Sequence, residues 1–358
     1  MKIQYWDESK LGDIETICPD RNIKLGSFLG CTIDGYNTHY PQPLLRKEEE
    51  LILPTIERFM SLGRGTVYEE TMEFEPKQPQ IKTLEENNVF YFVYNCANYF
   101  HWIYDTLPYL YVYFLEKQKD PSLKLLVSPP EGEKDLYPFV YESLELLGIH
   151  KSDLIFLGPY TCYKKILIGS SLTHNRLSLG PPHKGLYEVL GQIKGSEGVE
   201  EKIYVSRRTW TQPHSSNIGT DYTQKRKCVN EDQVVDIFKK YGFKEIFCEN
   251  LTMKEKVGAF RHAKVVAGAS GGGMSNVLFC GPDTKVISIN SPEFFEVNKR
   301  LEHAMTHTEL YHFDDTEFAG RQKDVIIDKN SLSIAGGMNS PWKVDLKKLE
   351  DLVSSTAV

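Results

Sequence analysis

Val265-Val266-Ala267-Gly268-Ala269-Ser270-Gly271-Gly272-Gly273-Met274-Ser275-Asn276 is the stretch on which the reading of this chain turns. Lys264 to Gly268 is a short, almost unbroken apolar strand, of the kind buried on both faces of a parallel sheet. The strand runs into four glycines within six residues, Gly268 and Gly271 to Gly273, and Gly273 to Phe279 then reads as a helix. A strand, a glycine turn and a helix start make an anion site. Glycine lets a ligand approach the backbone, and the N–H groups opening a helix attract phosphate. The spacing is G-x-x-G-G-G, which differs from the G-x-G-x-x-G of dinucleotide-binding turns. The competing reading is a tight turn that only packs strand on helix, although three consecutive glycines cost chain entropy that such a turn does not need.

On both sides of this stretch, strand and helix alternate. Lys202 to Val205 and Lys244 to Phe247 read as strands, as does Lys285 to Ile289. Asn230 to Tyr241 reads as a helix opened by Asn-Glu-Asp, and Thr252 to His262 as one opened by a Thr252/Glu255 capping box. Nearer the N-terminus, strands are expected at Val89–Tyr94, Lys124–Val127, Leu154–Leu157 and Lys165–Gly169, with helices over 98–117 and 136–147. Such alternation predicts an α/β protein with two doubly wound, Rossmann-type domains. The glycine-rich region from Gly180 to Gly198 marks the join. The expected divisions are an irregular N-terminal extension over 1–85, with one helix from Pro43 to Leu62, then domains over 86–195 and 196–345. A final helix over 345–353, in a tail of 346–358, is expected to pack back on the first domain.

Of the 358 residues, 41% are hydrophobic and 25% charged, the balance of an ordinary globular protein. The net charge of -7 disfavours a nucleic-acid partner, which wants a basic face. The first eight residues hold no apolar signal core. The longest apolar stretch, Tyr104 to Leu115, is interrupted by Asp105 and Pro108 and is too short to span a bilayer. Seven scattered cysteines, never in C-x-x-C, read as free thiols of a reducing compartment and argue against structural zinc. The expectation is a cytoplasmic chain, or an excised soluble portion, without a membrane-spanning segment.

Two further clusters carry chemistry. Ser206-Arg207-Arg208 directly follows the strand ending at Val205, at the edge where open α/β sheets bind ligands. Arg226 lies beyond the loop 209–224, shortly before Asn230-Glu231. Arg207 and Arg226 can converge on a diphosphate through charge-assisted bonds; the alternative is solvated surface charge. In Asn98-Tyr99-Phe100-His101-Trp102-Ile103-Tyr104-Asp105, the four-residue spacing puts His101 and Asp105 on one helix face. An Asp beside a His orients the imidazole and raises its basicity, as a general base requires. The other reading is a core histidine merely paired to an aspartate. Asp314-Asp315 is the only adjacent Asp pair and no D-x-D occurs, so no metal is expected. The series His303, His307 and His312 reads as a solvated face.

The motif Asn98-Tyr99-Phe100-His101-Trp102 with Asp105, Leu107 and Pro108 resembles a segment of glycosyltransferase family 61. Tyr204 to Arg208, Arg226, Asn230-Glu231, Gly242-Phe243, Glu249, Leu251-Thr252, Glu255, Ala263, Gly268 to Asn276 and Val277 to Pro282 follow that family's order and spacing. The likeness spans about 88–290. It implies a GT-B fold of two facing Rossmann-type domains, the first for the acceptor and the second for the nucleotide-sugar donor. It also implies inversion at the anomeric carbon without a metal or other cofactor. Its members include plant xylosyltransferases and animal N-acetylglucosaminyltransferases, so a UDP-sugar is favoured, with xylose or an N-acetylhexosamine transferred to a glycan or polysaccharide hydroxyl. Bacterial and viral members fit a cytoplasmic setting. The resemblance assigns His101 and Asp105 to catalysis. It gives the donor Ser206, Arg207, Arg208, Arg226, Asn230, Glu231, Ser270, Gly271, Gly272, Gly273, Met274, Ser275 and Asn276, and the acceptor Asn98, Tyr99 and Trp102.

Two positions depart from the family pattern. Ser270 stands where His is common, and Ser288 where Glu is common, so the donor's identity is not inherited. Both changes would suit a noncatalytic carbohydrate-binding or nucleotide-binding relative. A nicotinamide-dependent oxidoreductase also fits doubly wound halves, but its glycine spacing and the turn's late position do not. The expected activity is an inverting glycosyl transfer; the oligomeric state is not readable.

Overall fold

The computed structural model describes residues 2–5, 14–18, 23–34, 44–47, 50–53, 83–92, 96–130, 132–158, 161–169, 189–208, 227–292, 309–319 and 340–356. These belong to two compact units: Met1–Ala97 with His101–Gln192, and Asn98–Phe100 with Ile193–Val358.

The first unit holds one nine-stranded sheet. Five strands precede residue 54: β1 (Lys2–Tyr5), β2 (Ile14–Cys18), β3 (Ile23–Asp34), β4 (Leu44–Lys47) and β5 (Glu50–Leu53). Four follow: β6 (Thr83–Tyr91), β7 (Lys124–Val127), β8 (Leu154–Phe156) and β9 (Thr161–Gly169). Strands β9, β6, β7 and β8 lie side by side and parallel. Where the first part of the helix Pro43–Leu62 is expected, β4 and β5 form an antiparallel pair instead; residues 54–62 lie outside the described residues. Nor is the N-terminal part an irregular extension, because β3 pairs antiparallel along β9 and continues the sheet. Pairing with a distant strand overrides local helix preference here. Helices α1 (Leu110–Lys119) and α2 (Pro138–Leu146) connect the parallel strands. Their buried Leu110, Val112, Tyr113, Phe139 and Leu144 join Val89, Phe90, Leu125, Leu126 and Ile166 in the core.

The second unit is a five-stranded, fully parallel sheet. Its strands are β10 (Lys202–Val205), β11 (Lys244–Ile246), β12 (Val265–Ala269), β13 (Lys285–Ile289) and β14 (Glu309–Phe313), in the order β11-β10-β12-β13-β14. Helices α3 (Glu231–Lys240) and α4 (Met253–His262) form the crossovers, and β15 (Thr316–Phe318) with β16 (Trp342–Val344) makes a small antiparallel pair. The last three strands are not apparent in the sequence pattern. Helix α5 (Leu346–Thr356), expected to pack on the first domain, instead buries Leu349 and Val353 in this unit's own core, beside Val234 and Phe238 of α3. Parallel strands joined by helices make both units α/β in the Rossmann manner, the first with an antiparallel part added.

Five cysteines, Cys96, Cys162, Cys228, Cys248 and Cys280, are free thiols. Among the described residues no helix is long and apolar enough to cross a membrane.

Candidate active site

In the second unit the chain runs from β10 outward to β11, then returns to the other side of β10 with β12. The carboxyl ends of β10 and β12 therefore flank a reversal of strand order, the place where open α/β sheets take ligands. Ser206 and Arg207 leave the end of β10; Ser270 and Gly271 leave the end of β12. The register aligns Val205 with Gly268, so the two exits are neighbours. Arg207 Nη1 donates to Ser270 O at 3.2 Å. At Gly271 a Cβ would lie 2.0 Å from that same Nη1, so the guanidinium packs directly on the bare glycine. Gly272 opens a 3-10 helix, Gly272–Phe279, in place of the expected α-helix. The first hydrogen bond inside it runs from Met274 N–H to Gly271 O, which leaves the N–H groups of Gly271, Gly272 and Gly273 without an acceptor within the helix.

Burial shapes the charges. Arg207 is 9% exposed and Glu231, the first residue of α3, 1%. Glu231 Oε1 accepts from the Arg207 backbone N–H at 2.7 Å and from the Tyr204 hydroxyl at 3.2 Å. Burial pulls the Arg207 guanidinium below its ordinary value, and the Glu231 carboxylate opposes that pull. Burial likewise lifts Glu231 above the usual carboxylate value, against the Arg207 N–H and charge. A second carboxylate, the half-buried Glu249, is lifted in the same way and lies in the field of both Lys256 and Arg207. A group of desolvated charges beside a strand-order reversal has the character of a ligand site.

The other expected donor residues divide by what they touch. Arg208 forms a fork on Glu245, with Nη2 2.7 Å from each carboxylate oxygen, and also reaches Asp232. Its charge serves α3 and β11. Asn230 stands at the N-cap of α3 but makes no side-chain cap bond. Its amide donates to Val344 O at 2.9 Å and accepts from Val344 N–H at 3.0 Å, tying down β16. Met274, Ser275 and Asn276 turn inward. Ser275 Oγ donates to Gly272 O at 2.6 Å, and Asn276 Nδ2 to Gly273 O at 2.9 Å. Ser270 and Ser288, the two departures from the family pattern, are both buried with their hydroxyls 3.2 Å apart. Arg226, His303 and His307 lie outside the described residues.

Asn98, Tyr99 and Phe100 group with the second unit. The Tyr99 hydroxyl donates to Asn276 Oδ1 at 2.6 Å, and Lys256 Nζ lies 4.7 Å from the centre of its ring. Lys256, only 4% exposed, was not apparent as a site residue in the sequence, because lysine is seldom buried. Glu249 had a signal only in the family spacing.

His101 and Asp105 belong to the first unit, just beyond the carboxyl end of β6. There too the strand order reverses, between β6 and β9. The helix they occupy is not regular. Tyr99–His101 is α-helical, Trp102–Thr106 is a π turn and Leu107–Tyr109 a 3-10 turn before α1. Pro108 has no N–H to give to residue 104, and its ring would strike that carbonyl in an α-helix. The turn widens instead, and Leu107 N–H donates to Trp102 O five residues back. The four-residue spacing survives this widening: His101 Nδ1 and Asp105 Oδ2 are 2.6 Å apart, with the side chains 24% and 5% exposed. A carboxylate only accepts, so the proton of that bond sits on Nδ1 and the basic lone pair of the neutral ring on Nε2. Trp102, expected on the acceptor side, is instead a core side chain. It is 1% exposed, donates from Nε1 to Ser143 Oγ at 2.8 Å, and packs edge-on against Phe92.

Among the described residues no group of three His, Cys, Asp or Glu side chains is arranged to hold a metal ion. No curated protein matches the sequence. The family model described as Glycosyltransferase 61 matches residues 99–287, just over half of the chain, a span that takes in the His101–Asp105 turn, Arg207 and the glycine turn. On that match, the chain belongs to glycosyltransferase family 61.

Proposed function

We propose that this protein moves a sugar from a nucleoside-diphosphate sugar, a UDP-sugar by preference, to a hydroxyl of a glycan or polysaccharide, with inversion and without a metal. Family membership implies glycosyl transfer between a donor and an acceptor in general; the nucleotide, the inversion and the GT-B arrangement of the two units belong to this proposal. The observation that carries it is the meeting of Arg207 with the glycine turn at the β10/β12 reversal. A guanidinium and a run of glycine N–H groups suit the charge that develops on a leaving diphosphate.

In this reading the acceptor oxygen bonds to the anomeric carbon as the bond from that carbon to the diphosphate oxygen breaks. The diphosphate leaves with the electron pair, and the acceptor's proton passes to His101 Nε2. Asp105 holds the ring by Nδ1 and stabilises the imidazolium that forms, which makes His101 the base and Asp105 its orienting partner.

Calorimetric titration with UDP tests the donor site. Arg207→Ala is expected to weaken UDP about 10- to 100-fold, the worth of a charge-assisted bond. Wild-type affinity of that variant for UDP, GDP and CMP would overturn the site. His101→Ala is expected to keep UDP binding and lose about 10²- to 10⁴-fold in kcat.

A further inference from the structure

Asn290 stands one residue beyond β13 and is 2% exposed. Its Oδ1 accepts from the Ser270 hydroxyl at 2.7 Å. Its Nδ2 donates to Asp314 Oδ1 at 2.6 Å and lies 3.3 Å from His312 Nδ1. Its own backbone is held as well: the N–H donates to Phe313 O at 2.9 Å, and the carbonyl accepts from Thr316 Oγ1 at 2.6 Å. Ser270 is the next link. Its N–H donates to Ile289 O at 2.9 Å, and its carbonyl receives Arg207 Nη1 at 3.2 Å. Hydrogen bonds thus run without a break from the end of β14, through the ends of β13 and β12, to the guanidinium.

We infer that Asn290 is a positioning residue for Arg207, acting through Ser270. The inference rests on the reading of Arg207 as the diphosphate-binding group. Its physical basis is the peptide between Ser270 and Gly271, whose orientation decides where the Ser270 carbonyl points. Three glycines follow that peptide, and without Cβ atoms they restrain it little. The Ser270 hydroxyl supplies the restraint from the other side; Asn290 Oδ1, at 2.7 Å, is its shorter acceptor and the Ile289 carbonyl, at 3.1 Å, the longer. The two positions that depart from the family pattern, Ser270 and Ser288, both lie in this network, with hydroxyls 3.2 Å apart and Ser288 Oγ 3.5 Å from Asn290 Oδ1. A neutral hydroxyl–amide relay therefore holds the carbonyl that orients the cation.

Calorimetry with UDP and with uridine distinguishes this role from a knot that merely joins β13 to β14. Asn290→Ala is expected to weaken UDP about tenfold, the worth of the buried hydrogen bond to Ser270 among those it removes, and to leave uridine unchanged. In an Arg207→Ala background it should have no further effect on UDP, since residues in one network do not act additively. The double variant Asn290→Asp/Asp314→Asn keeps an acceptor for Ser270 and exchanges donor and acceptor toward residue 314; it should retain wild-type UDP affinity. If Asn290→Ala fails to fold, Ser270→Ala removes the same hydroxyl bond, keeps the carbonyl, and carries the same expectation. Unchanged UDP affinity, equal weakening of UDP and uridine, or additivity with Arg207→Ala would each overturn the positioning role. Wild-type UDP binding by Arg207→Ala alone would instead remove the donor reading beneath it.

Discussion

At Gly271 the backbone is extended, with φ at 164°, so any residue could adopt it. What excludes a side chain there is the guanidinium, 2.0 Å from where a Cβ would sit. Arg207 Nη1 is the far end of a flexible side chain and can swing aside at small cost. Gly271→Ala is therefore expected to unfold within about 0.5 kcal/mol of the wild type, yet to bind UDP about tenfold more weakly. Thermal unfolding beside calorimetry checks the pair of outcomes, and a stable variant with full UDP affinity would show that Arg207 need not hold its place. The glycines themselves were plain in the sequence, as was the reading that they let something come close. That the close neighbour at Gly271 is the protein's own arginine was not, because the approach joins residues 207 and 271 across two strands. Asn230 makes the same point in reverse. Its position before α3 suggests a cap, but its amide pairs with Val344, 114 residues away.

Among the elements, α4 was the most legible. Thr252 Oγ1 accepts from Glu255 N–H at 3.3 Å, and Glu255 Oε2 accepts from Thr252 N–H at 2.8 Å, the reciprocal box that the sequence predicts. Such signals are local, and short-range patterns carry them. Gly258, in the middle of α4, is a different matter. A Cβ there would lie 2.3 Å from Ser196 O, and one on Gly195 would lie 2.4 Å from Gly258 N. The end of the glycine-rich region, residues 195–198, packs its backbone on the helix backbone, where there is little room to yield. In an isolated helix, Gly→Ala gains about 1 kcal/mol. Gly258→Ala is expected instead to destabilise this protein by about 1–3 kcal/mol in urea unfolding, as overpacking does. A gain in stability would show that the segment is not seated on α4. The π turn at Trp102–Thr106 also escaped the sequence reading, though Pro108 offered the clue: a proline inside a helical pattern forces the preceding turn to change register.

For the molecule as a whole, the largest departure from expectation is the N-terminal part, residues 1–53. Strands β1 to β5 are part of the first unit's sheet, with β3 paired along β9 from Leu25 opposite Gly169 to Thr32 opposite Cys162. Deleting residues 1–53 would leave that flank of β9 as an open edge of unpaired N–H and C=O groups, a template for association. The truncated chain is expected to elute as aggregate in size-exclusion chromatography. A monodisperse, folded product that still binds UDP would show the strands to be peripheral.

By itself the sequence determined the alternation of strands and helices between Val89 and Ile289, the glycine turn after β12, the His101–Asp105 spacing and the family likeness. Each of these is written in residues a few places apart, where backbone periodicity and side-chain chemistry speak locally. Tertiary structure alone decided which strands are neighbours, and so that Arg207 meets Gly271, that Asn290 reaches Ser270, and that β3 covers β9. It also decided which charges lose water: Arg207, Glu231 and Lys256, of residue types seldom buried, are buried in the fold. Strand pairing and desolvation depend on groups far apart in sequence, and the hydrophobic pattern of one segment does not specify its partner.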